Sequence, residues 1–191
     1  MEVQSVNSKQ LIRQTAEALV SSKSKIRRLH GVVGFDGFVD HIYHAVDKRT
    51  GPAEYVRIPT LKDFAKRVAA AAGQSGNIEL VLQESKLGGN GPIMANALAS
   101  FSMPVTCIGL LGENGLHPAF REFGRRARVL SVADPSLTDA IEFDDGKLML
   151  GKHETLRQMS WSNLQKKVGV PQMVKLFTEA RLVALVSWTM L

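Results

Sequence analysis

The stretch from Leu87 to Met103, LGGNGPIMANALASFSM, limits what this chain can fold into more than any other. Gly88, Gly89 and Gly91 crowd around Asn90, and glycine is the residue that tolerates positive φ and lets backbone come close to another group. Behind the turn, Ile93, Ala95, Ala97, Leu98 and Phe101 give the small, apolar composition of a helix packed tightly on other structure, with Pro92 in the first helical turn. A glycine turn feeding a buried helix fits two descriptions. It is either a tight loop with no ligand, or one wall of a site in which the first unpaired N–H groups of the helix face a polar or anionic atom.

The flanking segments set the architecture. Residues 8–29 carry Leu11, Ile12, Thr15, Ala18 and Leu19 at helical spacing with Ser8 as N-cap, which makes residues 1–30 a helical extension. Gly31 to Val39 reads as one buried strand with Asp40 just past its end, where open α/β sheets place ligand contacts, although a turn or cap aspartate fits equally. His41 to Pro59 reads as a hairpin about Thr50-Gly51-Pro52, Leu61 to Ala72 as a helix capped by Thr60, and Ile78 to Leu82 as a strand entering the glycine turn. Val105 to Leu111 is an apolar run of strand length closed by Gly112-Glu113-Asn114-Gly115. A short helix with Phe120 and Phe123 and a small strand at Val129 to Val132 come next. Thr138 to Phe143 and Lys147 to Leu150 flank Asp144-Asp145-Gly146, an Asp-Gly turn expected to supply positive φ. Residues 160–180 read as two helical pieces broken near Gly169-Val170-Pro171, and Leu182 to Trp188 as a last strand. Strands alternating with helices, plus two projecting hairpins, indicate an α/β layered domain with a mostly parallel sheet and a separate small antiparallel sheet. A buried parallel strand running straight into Leu191 lacks the turn that would take it out of a sheet, so the chain is expected to be truncated at its C-terminus.

Composition narrows the function classes. With 191 residues, 45% of them hydrophobic and 22% charged, the chain suits one globular domain rather than disorder. No run approaches the roughly 18 to 20 apolar residues of a membrane span, and MEVQSVNSKQ has no apolar signal core, so the expectation is a cytoplasmic protein with no membrane partner. The net charge of +6 is scattered and the aromatics, 6% of residues, do not interleave with it, which argues against a nucleic-acid surface. Cys107 sits inside an apolar run and reads as a core residue. His41 and His44 lack a third ligand at a metal spacing, so no metal site is expected.

LGGNGPIMANALAS, the strand VTCIGLLGENG and the hairpin TDAIEFDDGKLML together resemble the N-terminal half of the ribokinase-like sugar kinases, the PfkB carbohydrate kinase family. The resemblance covers about Gly31 to Leu191. It implies a three-layer α/β/α ribokinase-like domain with a mostly parallel sheet and a small projecting β lid, built from segments near 41–58 and 138–151. It also implies a sugar pocket in which Asp40, Gly88, Gly89 and Asn90 contact the substrate. Asp36 is either a second hydroxyl ligand or a structural residue of its glycine-bracketed turn; Asn114 and His153 are further candidates. Two departures stand out. Ile93 replaces an asparagine common in the family, and the Gly-Ala-Gly-Asp and Asn-x-x-Glu motifs that supply the base, the anion site and the magnesium site are absent.

The resemblance therefore implies ATP-dependent phosphorylation of a sugar or nucleoside hydroxymethyl group by a complete protein that uses ATP and Mg2+. This chain would carry the substrate half and be inactive alone, its base lying beyond Leu191. The glycine turn fits neither G-x-x-x-x-G-K-[ST] nor G-x-G-x-x-G, and the resemblance implies that it contacts the sugar rather than a phosphate. Two further readings remain open: a non-catalytic binding or dimerisation module whose lid strands pair between subunits, and a Rossmann-type nucleotide-binding domain.

Overall fold

In the computed structural model, which describes residues 8–187 and residue 190, two sheets share the chain. In order, the elements are α1 (Ser8–Ser21), α2 (Lys23–Ile26), β1 (Gly31–Gly34), β2 (Phe38–Arg49), β3 (Tyr55–Arg57), α3 (Leu61–Ala70), β4 (Leu80–Gly88), α4 (Asn90–Ser100) and β5 (Val105–Leu110). After a 3-10 turn at Pro118–Phe120 come α5 (Arg121–Gly124), β6 (Arg128–Ala133), β7 (Ser136–Glu142), β8 (Lys147–Lys152), a second 3-10 turn at Glu154–Gln158, α6 (Trp161–Lys167), α7 (Val170–Glu179) and β9 (Leu182–Leu185).

The first sheet is four-stranded and parallel throughout, in the order β6-β5-β1-β9. Alternation splits its side chains between two layers. Val32 and Ile108 face Leu164, Met173 and Leu176 of α6 and α7, whereas Val33 and Cys107 face Ala95, Ala99, Phe120 and Phe123 on the α4 and α5 side. Helices on both faces of a parallel sheet make the α/β/α layering that the resemblance implied. Gly169 takes φ +85 just before α7 and Pro171 occupies its first turn, which breaks the pair of helices where the sequence placed the break. Ser8 lies within α1 rather than capping it.

The second sheet is larger than expected and is not purely antiparallel. It holds five strands: β2 pairs antiparallel with β3 and β4 but parallel with β7, which pairs antiparallel with β8. Its own small core, Ala45, Ile58, Ile141 and Phe143 against Leu61 and Phe64, fastens α3 to one face. Thr60 caps α3 by accepting the N–H of Asp63 at 3.1 Å.

Four further expectations are corrected. Gly31 to Val39 is not one strand: β1 ends at Gly34 and the chain crosses to the second sheet through Phe35 to Gly37, so Asp40 is the third residue of β2 rather than a residue past a parallel strand. The Asp144-Asp145-Gly146 turn closes its hairpin, Phe143 donating its N–H to Gly146 O at 2.9 Å, but Gly146 does not take a positive φ. Asp145 Oδ1 accepts the N–H of Leu61 at 2.9 Å instead, so the turn docks on the start of α3. Ile93 and Phe101 are each 50% exposed, and Ala95 and Ala99 make the buried face of α4. The last strand ends at Leu185, and Trp188 lies outside the described residues.

Candidate functional site

The site is built around the crossing from β1 to β2. That crossing passes over the carboxyl end of β5, and glycine makes the close approach possible: a Cβ on Gly37 would stand 2.0 Å from the carbonyl oxygen of Leu110, and one on Gly109 would stand 2.4 Å from that of Asp36. Asp36 in the crossing is 1% exposed. Its carboxylate is committed to the protein, with Oδ2 accepting the N–H of Asn90 at 2.8 Å and Oδ1 the N–H of Gly91 at 2.7 Å. These are the unpaired donors at the start of α4, aimed at Asp36 because Gly89 holds φ +87. The helix end that could have met a ligand anion is filled by an internal one. The residues here do not fit a nucleotide phosphate.

Asp40 is the opposite case. Among the described residues its carboxylate has no hydrogen bond or ion pair, and it faces an open cleft of about 380 Å3. The side chain lies over the backbone of Gly88, where a Cβ would come within 2.5 Å of Oδ1. Gly88 therefore clears the space that Asp40 occupies. Around the cleft, Phe38 and Asp40 come from β2, Gly89, Asn90 and Ile93 from the glycine turn and α4, and Thr138, Met149 and Gly151 from β7 and β8. His153 closes one side edge-on to Phe38, with centroids 5.6 Å apart, and lies over Gly151, whose missing side chain leaves it room. Asn90 Nδ2 donates to Ser187 Oγ at 2.8 Å, which joins the turn to the segment after β9. A larger hollow of about 590 Å3, lined by Glu154, Leu156 and Arg157, adjoins the cleft and shares His153 and Met190 with it.

The structure thus brings Asp36, Asp40, Gly89, Asn90 and His153 to one cleft, with Gly88 beneath Asp40. Asn114 is not part of that wall; it is exposed in its turn, beside Glu113, whose N–H is held by Asp134 at 2.8 Å. Phe38, Thr138, Met149, Gly151 and Ser187 were not foreseen. Phe38 and Thr138 share a face with Asp40 by the two-residue period of their strands, but that placement follows only once the pairing Asp40 to Thr138 is known.

Other titratable groups lie outside the cleft. Burial, and secondarily the charge of Asp36, pushes the Cys107 thiol up to about 12, so it stays protonated in the core. His41 faces Asp139 at 3.6 Å, while His44 contacts the Tyr55 hydroxyl at 3.1 Å and Arg57 at 3.4 Å, so the two imidazoles serve different partners. Among the described residues no three His, Cys, Asp or Glu side chains converge to hold a metal ion, and no helix is long and apolar enough to cross a membrane.

A parallel sheet between two helical layers, joined to a projecting β sheet over a cleft, defines the ribokinase-like fold. A solved carbohydrate kinase from Agrobacterium tumefaciens shows the same fold: 14% identity, TM-score 0.53, over 82% of this chain and 45% of that one. Ribokinase of Arabidopsis thaliana complexed with ribose and ATP matches 82% of this chain and 44% of its own at 17% identity, with a TM-score of 0.42. The family is more specific than the fold. The sequence profile of the prokaryotic ketohexokinases matches residues 8–191, and this chain belongs to that family. The ketohexokinase of Haloferax volcanii is 32% identical over 158 residues, which are 82% of this chain and 42% of that protein. The chain therefore spans less than half the length of these relatives.

Proposed function

We propose that this chain supplies the sugar-holding wall of a kinase that phosphorylates a ketohexose. The observation that carries the reading is Asp40: a carboxylate with no partner among the described residues, facing a cleft of about 380 Å3 beneath a β lid. An ionised carboxylate accepts hydrogen bonds from hydroxyl groups and repels phosphate, so it suits the neutral polyol and not the phosphoryl donor. Gly88 and Gly89 let backbone approach the sugar, Asn90 offers its amide, and His153 closes the far side. Asp36 acts through the glycine turn by fixing the start of α4. It orients Asn90 rather than holding sugar.

Phosphoryl transfer depends on positioning and on stabilising charge with metal and donors. ATP and Mg2+ remain the expected donor and metal of the complete protein, and this reading takes the base and their site from sequence outside these residues. On that basis the chain alone binds sugar without transferring phosphate. A second role rests on the lid: β4 and β8 each pair on one side only, and Leu82, Met149 and Leu150 are exposed there, which favours a homodimer built by lid strands.

A thermal-unfolding screen of ketohexoses, aldoses, nucleosides, ATP and NAD tests the assignment. A ketohexose at about a hundred times its Kd adds about 2.7 kcal/mol to stability, a rise of roughly 5 to 10 °C for a chain of this size. A response to NAD alone would overturn the reading in favour of a Rossmann-type site.

A further inference from the structure

The cleft contains a second polar group that nothing in the sequence marked. Thr138 is 6% exposed and lines the cleft. In the parallel pairing of β2 with β7 it stands directly opposite Asp40. Neighbouring strands lie about 4.8 Å apart and paired residues project from the same face of a sheet, so the hydroxyl of Thr138 and the carboxylate of Asp40 stand side by side over the cleft. Like Asp40, Thr138 makes no side-chain hydrogen bond to the described residues. The buried polar residue Ser136, two positions earlier on the same strand, bonds Thr155 at 2.6 Å, so the neighbouring hydroxyl is satisfied within the protein and that of Thr138 is not.

A hydroxyl with no protein partner is left for water or a ligand, and this one reaches a cleft open to a polyol. Threonine is both donor and acceptor, whereas the carboxylate beside it only accepts. Met149 of β8 and Ile93 of α4 add apolar surface to the same cleft.

Building on the ketohexose reading, we infer that Thr138 determines substrate specificity by holding the hydroxyl next to the one bound by Asp40, so that the lid sheet selects sugars carrying two adjacent hydroxyls on one side.

The test is titration calorimetry on the 191-residue protein with a ketohexose and its monodeoxy analogues, comparing the wild type with Thr138→Val and Thr138→Ser. Thr138→Val is expected to weaken ketohexose binding roughly five- to tenfold, the range for one neutral hydrogen bond, with Thr138→Ser restoring most of it. One monodeoxy analogue should bind wild type and Thr138→Val equally, because the hydroxyl in question is already gone. Wild-type affinity in Thr138→Val, or the same loss against every analogue, would overturn the inference and leave the sugar reading standing. Wild-type protein that binds no ketohexose would overturn both. Circular dichroism of each variant separates a lost contact from a lost fold: a folded Thr138→Ser that binds no better than Thr138→Val also contradicts the assignment.

Discussion

Asp36 Oδ1 accepts the backbone N–H of Gly91 at 2.7 Å across 55 positions of sequence, and through it the β1–β2 crossing is tied to the start of α4. A Cβ on Gly91 would stand 2.5 Å from that same oxygen, so the glycine and the aspartate fit only each other. Asp36→Asn changes little in volume but replaces one acceptor with an amide NH2 that faces a backbone donor. The expected loss is about 3 kcal/mol, the upper range for a bond to a charged group, read as a drop of roughly 6 to 12 °C in the thermal midpoint. A midpoint equal to that of wild type would mean the turn is held by other contacts.

Gly88 makes a different prediction because its neighbour is a side chain. In Gly88→Ala the new methyl group would lie 2.5 to 2.6 Å from all three carboxylate atoms of Asp40, which can swing aside. Folding should survive with a small shift in midpoint, while ketohexose affinity falls about tenfold or more as the acceptor leaves the cleft. Equilibrium binding and unfolding measured on the same preparation separate the two effects.

Acid should loosen the lid before the carboxylates titrate. Burial first, and the Arg57 charge second, lower the pKa of His44 from its ordinary value near 6.5, and burial also lowers that of His117. A histidine with a depressed folded-state pKa binds more protons unfolded than folded. Its contribution to stability is therefore intact above about pH 6.5 and lost as the pH falls below that value toward the folded pKa. The midpoint should decline between pH 7.5 and 5.5, and His44→Gln should decline less steeply. Equal slopes would remove His44 from the account.

How much of this was legible in the sequence depends on the distance over which each signal acts. The start of α4 was readable because Gly89, Asn90 and Pro92 impose their conformations locally, and the Gly169 break before α7 was readable for the same reason. The job of Asp36 was not, since a glycine-bracketed acid looks alike whether it bonds a ligand or a helix end far along the chain. Gly31 to Val39 reads as one strand because its apolar run is continuous, and only the structure shows it passing between two sheets. Ile78 to Leu82 reads as a strand, whereas β4 begins at Leu80 and continues through Gln83, Glu84, Ser85 and Lys86, whose polarity suits an exposed edge strand and carries no core-facing period. Asp145-Gly146 announced a turn correctly and its geometry wrongly, because Asp145 is used to hold Leu61.

The central claim is that Asp40 holds the sugar, and its most direct test is titration calorimetry of a ketohexose into wild-type protein and Asp40→Asn. With no protein partner to lose among the described residues, the substitution should leave the unfolding midpoint nearly unchanged. Affinity should fall by roughly 10- to 100-fold, the equivalent of about 1.5 to 3 kcal/mol for a hydrogen bond to a charged acceptor. Equal affinity in the folded variant and the wild type would contradict the account.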